Sequence, residues 1–170
     1  MRQEKAQEIS AEVPDWVREQ KAFFSWDPSR SLLASIRAFQ RHPISSHPFH
    51  VIGRKIALIR HRFWAIVTGA DIPIRTQIGG GLLLPHPNGI VIHPAVKIGV
   101  NCLIFQQVTI GSRDSDVPHI GGHVDIGAGA KLLGSFEIGD HARIGANAVV
   151  LQDVPIGKTA VGVPAVIVND

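Results

Sequence analysis

From Ile120 onward the apolar positions count in sixes: Ile120, Ile126, Leu132, Ile138, Ile144, Val150 and Ile156. Seven aliphatic anchors at one spacing arise by chance on the order of half a percent of the time in a chain of this apolar content. Four residues after each anchor comes a second small or apolar residue: Val124, Ala130, Phe136, Ala142, Ala148, Val154 and Ala160. A helix needs apolar residues three and four apart. Two inward positions per six, with Gly, Asn and Asp between them, predict a short strand and a tight corner repeated as a parallel β-solenoid. Three such strands close a triangular coil of roughly 18 residues.

The same beat runs earlier through Ile72, Ile78, Leu84 and Ile90, then resumes two residues out of step at Ile92, Ile98, Ile104 and Ile110. A longer step separates Ile110 from Ile120 and predicts a loop over Gly111 to His119. A solenoid needs only small residues at fixed places, so its interruptions are where chemistry is sought.

Ahead of the repeat, Asp27 and Pro28 read as an N-cap and first-turn pair opening a helix through Leu32, Leu33, Ile36 and Phe39, stopped by Pro43. A second helix is expected from about Phe49 to Val67, with an apolar face of Ile52, Ile56, Ile59, Phe63 and Ile66. That face reads as packed on the first coil or on a neighbouring subunit. Its basic surroundings also suit peripheral contact with an anionic membrane. The expected division is a helical lead-in over 1–68 and the solenoid over 69–170, with Met1 to Pro14 polar and loose.

Charge narrows the field little. The chain has 170 residues and a formal charge of +3. Its cations crowd into Arg54, Lys55, Arg60 and Arg62 and leave the solenoid nearly balanced, which argues against a nucleic-acid partner. Cys102, the lone cysteine, reads as a small core residue. The charged opening MRQEKAQE is unlike a signal peptide, and no apolar run is long enough to span a bilayer, so a cytoplasmic location is expected. His93, His123 and His141 fall at repeat turns and read as solvated, and no histidine spacing predicts a metal site.

The chemistry points to the first slip. The stretch DIPIRTQIGGGLLLPHPNG puts His86 between two prolines at a corner, held out of the core after three glycines that bring the backbone close. A histidine suits proton abstraction near neutral pH, and a carboxylate orients it; Asp71 is the nearest candidate.

Four blocks, DIPIRTQIGGGLLLPHPNGIVIHPAVKIG, IFQQVTIG, IGAGAKLLG and GVPAVIV, together resemble the serine acetyltransferase branch of the hexapeptide acyltransferases. The resemblance implies a mainly β chain, a left-handed parallel β-helix assembled as a homotrimer, with acetyl-CoA as acetyl donor between subunits. It also implies that His86 is the general base and Asp71 its partner. Ser112, Ala128, Arg143 and Ala146 occupy the positions that hold CoA in the family.

The acceptor side departs from that pattern. Pro85 stands where the family has Asp before the histidine, and Asp116 and Val117 replace an Arg-His pair. The segment PHIGGHVDIGAGA is similar to short exopolysaccharide acetyltransferases of the colanic-acid type, so a saccharide hydroxyl is the first expected acceptor and serine the second. On that reading His119, Arg113, Asp114 and Asp116 contact the acceptor. A short N-terminus favours the trimer over a hexamer. The competing reading from another class is a non-catalytic solenoid scaffold.

Overall fold

A computed structural model describes residues 9–22, 25–44, 47–113 and 116–168. Within them the repeat folds as expected into a parallel β-solenoid whose short strands stack on three faces. Face 1 carries Gln77–Ile78, Lys97–Ile98, His119–Ile120 and Glu137–Ile138. Face 2 carries Leu103–Ile104, Asp125–Ile126, Arg143–Ile144 and Thr159–Gly162, with Ala165–Val168 folded back antiparallel on the last. Face 3 carries Val91–Ile92, Thr109–Gly111, Lys131–Leu133 and Val149–Val150. Isolated bridges extend the stacks: Asp71 to Val91 on face 3, Leu83 to Leu103 on face 2 and Ile138 to Val154 on face 1.

The anchors stack in register, Ile98 on Ile120 on Ile138 and Ile104 on Ile126 on Ile144, and fill the interior. The secondary positions, from Val124 to Ala160, are buried too. The last expected anchor is corrected. Ile156 is 70% exposed, while Val154 is buried and takes the place in the face 1 stack. The final coil is shortened there because the Asp153 carboxylate accepts from the Glu137 amide at 2.8 Å and draws the chain in early.

Each coil turns its corners differently. The corner between faces 1 and 2 places Gly81, Asn101, His123, His141 and Gly157 at positive φ, and the corner between faces 2 and 3 does the same with Gly89, Gln107, Gly129 and Asn147. Non-glycine residues pay about 1–2 kcal/mol for that conformation, least for Asn. Backbone bonds align the columns: the amides of Gln107, Gly129 and Asn147 donate to the carbonyls of Asn88, Gln106 and Ala128 in the preceding coil. The corner between faces 3 and 1 carries the 111–119 loop, closed by an antiparallel bridge from Arg113 to Asp116.

Helix α1, Pro28–Arg41, starts at the predicted cap, where the Asp27 carboxylate accepts from the Arg30 amide at 3.0 Å. Leu32, Leu33 and Ile36 join the solenoid core and plug its first coil. Helix α2, Pro48–Thr68, ends at Gly69 in the left-handed region. Its expected apolar face is not packed on the first coil: Ile52, Ile56, Ile59, Phe63 and Ile66 are all more than half exposed. The side that packs is the one bearing Ala57, His61 and Thr68, small or polar residues that let α2 approach α1.

A second correction concerns the N-terminal segment. Ile9 to Pro14 is not loose; with Asp15 to Gln20 it lies along the corner between faces 1 and 2. The Asn101 side chain donates to the Ser10 and Val13 carbonyls at 2.7 and 2.8 Å and accepts from the Asp15 amide at 2.7 Å. Glu19 accepts from the amides of Gly81 and Leu82 and pairs with Arg37 at 2.8 Å, a largely buried ion pair that ties segment, helix and first coil together.

Candidate active site

The first slip in the repeat becomes a bulge. Where the later coils take six residues from the face 2 anchor to the face 3 anchor, the first takes eight, from Leu84 to Ile92, and His86 lies exposed in the surplus. Flanking prolines fix the local backbone and remove two amide donors, so the segment leaves the strand pattern without orphaning them. Ile90 closes the turn by donating to the Pro87 carbonyl.

Asp71 belongs to the adjoining layer. Its amide donates to the Ile90 carbonyl at 2.8 Å, and its carbonyl accepts from the Ile92 amide at 2.9 Å. Two residues earlier the Gly69 carbonyl accepts from the Gly89 amide at 2.8 Å, so the approach to Asp71 runs directly against the corner that holds His86. No hydrogen bond joins the two side chains among the described residues; catalytic hydrogen bonds often tighten only when substrate is bound.

Ala128 and Ala146 sit in the same corner column as His86, one and two coils beyond Gln107. Arg143 points outward on face 2, three residues ahead of Ala146. Together these residues form an edge that begins at an imidazole and continues as small, partly exposed residues, with a cation alongside. The Gln106 side-chain carbonyl oxygen on this edge is buried and has no hydrogen-bond partner among the described residues.

The remaining expected residues lie elsewhere. Ser112, Arg113 and Asp116 are exposed on the loop at the corner between faces 3 and 1, and His119 is exposed on face 1. Face 3 separates them from His86, so a single chain does not bring the loop and the imidazole together. Asp114 lies outside the described residues.

Sequence reasoning misjudged two features and missed one. The glycines 79–81 do not serve the His86 bulge: a side chain on Gly80 would strike Trp16 and one on Gly79 the backbone of Gly99, so they admit the N-terminal segment and the next coil. His123 and His141 are not simply solvated, because their Nδ1 atoms are 2.8 Å apart and one must donate to the other. Burial lowers the pKa of His123, outweighing the attraction of Asp125. The missed residue is His61 of α2, buried with Nδ1 3.3 Å from the Ser35 hydroxyl. Burial lowers its pKa, against a bond to the Ile72 backbone and the charge of Asp71. A histidine on the inner side of a helix carries no sequence signal of its burial. Cys102 is the core residue expected, its thiol pushed up to about 12 by burial. Among the described residues no group of three His, Cys, Asp or Glu side chains can hold a metal ion.

Residues 118–152 match the family described as bacterial transferase hexapeptide (six repeats). The chain is 41% identical over 128 residues to a serine acetyltransferase of Helicobacter pylori (strain J99 / ATCC 700824), covering 73% of this chain and 72% of that protein. It is 39% identical over 164 residues to a serine acetyltransferase of Staphylococcus aureus (strain Mu50 / ATCC 700699), covering 88% and 75%. A solved serine acetyltransferase in complex with CoA superposes with a TM-score of 0.70 at 35% identity, over 84% of this chain and 58% of that one. Repeat, fold and relatives agree: this chain belongs to the serine acetyltransferase family.

Proposed function

We propose that the chain transfers an acetyl group from acetyl-CoA to a hydroxyl at the edge between faces 2 and 3. The observation that carries this reading is the exposed His86, set in the one bulge of that edge at the head of a column of small residues. His86 takes the proton of the acceptor hydroxyl as the oxygen attacks the thioester carbonyl. The tetrahedral oxyanion then collapses, the carbon–sulfur bond breaks, and the imidazolium returns its proton to the departing thiolate, leaving an ester and free CoA thiol. Asp71 holds the imidazole in the tautomer this requires. No acyl-enzyme forms, in keeping with a lone cysteine that is buried and protonated.

Ala128 and Ala146 leave room for the pantetheine, Arg143 meets its phosphates, and Ser112, across face 3, meets its polar groups from a neighbouring chain. The acceptor contacts His119, Arg113 and Asp116 reach His86 only from a neighbouring chain, so the working unit is a homotrimer, with Asp114 as a further acceptor contact. Residues 69–170 form the acyltransferase unit, residues 1–68 its lead-in, and the enzyme works in the cytoplasm.

The acceptor reading changes order. The relatives' names favour serine over the saccharide first expected from Pro85, Asp116 and Val117. Thiol release from acetyl-CoA, offered serine, homoserine and a panel of free and nucleotide-linked sugars, separates the two. Serine turnover at roughly 1 to 10³ per second supports the relatives' reading, and sugar turnover with serine inert restores the saccharide. His86→Ala is expected to lose at least about a hundredfold in kcat, and a loss confined to KM would remove it from the base's role.

A further inference from the structure

Helix α2 presents an apolar stripe that no described residue covers. At 100° per residue, Ile52, Ile56, Ile59, Phe63 and Ile66 fall within an arc of about 80°, and Phe49 and Val67 extend it at one edge. Every one of these is exposed, Ile66 at 83%. Cations line both margins, Arg60 beyond the Phe49 edge and Lys55 and Arg62 beyond the other. Between Pro48 and Thr68 there is no acidic residue. Trp26, 75% exposed, leans on Trp64 of α2 with ring centroids 5.6 Å apart and adds an amphipathic ring beside the helix.

Three occupants can cover such a face, and charge decides between them. No other described part of this chain does, since α1 and the first coil take the opposite side of the helix. A second copy packing α2 on α2 would bring two sets of Lys55, Arg60 and Arg62 together with no carboxylate from either helix, a repulsive arrangement. An anionic lipid surface satisfies both features at once, taking the stripe into the boundary of the acyl chains while the flanking cations reach the headgroup phosphates. The helix does not cross: no helix among the described residues is long and apolar enough to span a membrane.

We propose that α2 docks this protein on an anionic membrane surface, lying in the interface plane on its Ile52–Ile66 face. The inference is independent of the acetyl-transfer reading and fails or stands separately from it.

The test is flotation of the full-length protein with vesicles of phosphatidylcholine alone and of phosphatidylcholine with about one-third phosphatidylglycerol. The wild type is expected to float with the anionic vesicles and to release them at about 1 M salt, where screening shrinks to ~3 Å. Each surface cation contributes about a fivefold factor, so K55Q/R60Q/R62Q is expected to bind roughly a hundredfold more weakly. Ile56→Asp with Ile59→Asp is expected to abolish flotation while far-UV circular dichroism and thiol-release activity stay at wild-type levels, because both positions are already in water.

Three results would overturn the proposal. One is no flotation with anionic vesicles, and another is equal flotation with neutral ones. The third is a change of oligomeric mass in light scattering when Ile56 and Ile59 become Asp, which would make the stripe a contact between copies.

Discussion

Two corners of the solenoid share one backbone and have opposite surroundings. Both stack left-handed residues coil upon coil, Gly81, Asn101, His123, His141 and Gly157 at one, Gly89, Gln107, Gly129 and Asn147 at the other. The first is roofed by the chain's own segment Ile9 to Gln20, which consumes its polar groups: Asn101 is fully buried and makes three side-chain hydrogen bonds to that segment. No described residue roofs the second. Gln107, Ala146, Asn147 and His86 are exposed there, and a buried acceptor on Gln106 is unpaired. Identical turn chemistry therefore serves stability at one corner and leaves a surface for ligands at the other. The difference lies in what covers the corner, not in the coil.

The sharpest break in this comparison is a matched pair of substitutions. Asn101→Ala loses the three side-chain hydrogen bonds to the roofing segment and replaces the non-glycine residue best suited to a left-handed turn with one that is poorly suited to it, an expected cost of about 3 kcal/mol or more by denaturant unfolding. Asn147→Ala carries only the conformational term, about 1–2 kcal/mol, and Asn147→Gly should be nearly neutral. Equal losses at the two corners would mean that the roof contributes little. Next in size, Ala146→Arg fills the open edge. An increase of at least about tenfold in the KM for acetyl-CoA is expected, with stability within roughly 0.5 kcal/mol of wild type. An unchanged KM would take CoA off this edge.

Protons give a smaller effect. His61 and His123 have pKa values lowered by burial from the ordinary 6.5, so the unfolded chain takes up protons before the folded one does. Stability is full above about pH 6.5 and falls as the pH drops below it, since acid favours the state that binds more protons. Melting curves from pH 7.5 down to 5 should show that decline, and His61→Asn should flatten it. A slope unchanged by that substitution would assign the acid sensitivity elsewhere. Least of all, Cys102 should resist thiol reagents at pH 8 until the protein unfolds, because a thiol held near 12 supplies almost no thiolate. Rapid labelling of folded protein would show that the first coils open locally.

The coil was readable because its determinant is strictly local: one aliphatic residue every six, with a small residue four places on, closes on itself whatever lies outside. Hence the register from Ile72 to Val150 and both irregular steps follow from spacing. What failed were properties set by distant neighbours. Ile156 kept the beat but lost its place when the Asp153 carboxylate caught the Glu137 amide. The glycines 79–81 lead up to His86 in sequence, yet Trp16, more than sixty residues earlier, packs against Gly80. The α2 stripe was legible as amphipathic, but amphipathicity does not say which side meets the protein, and the buried side is the small and polar one bearing Ala57, His61 and Thr68. His86 was legible as a corner histidine between prolines. Its relation to the loop was not, because face 3 of the same chain stands between them.

The claim that the unroofed corner is where the donor lies is met most directly by titrating the isotope-labelled protein with CoA and following backbone amide shifts. The account predicts the largest changes at Gln107, Ala128, Gly129, Ala146 and Asn147, with Asn101, His123 and His141 still. Shifts concentrated at the roofed corner, or none at either, would contradict it.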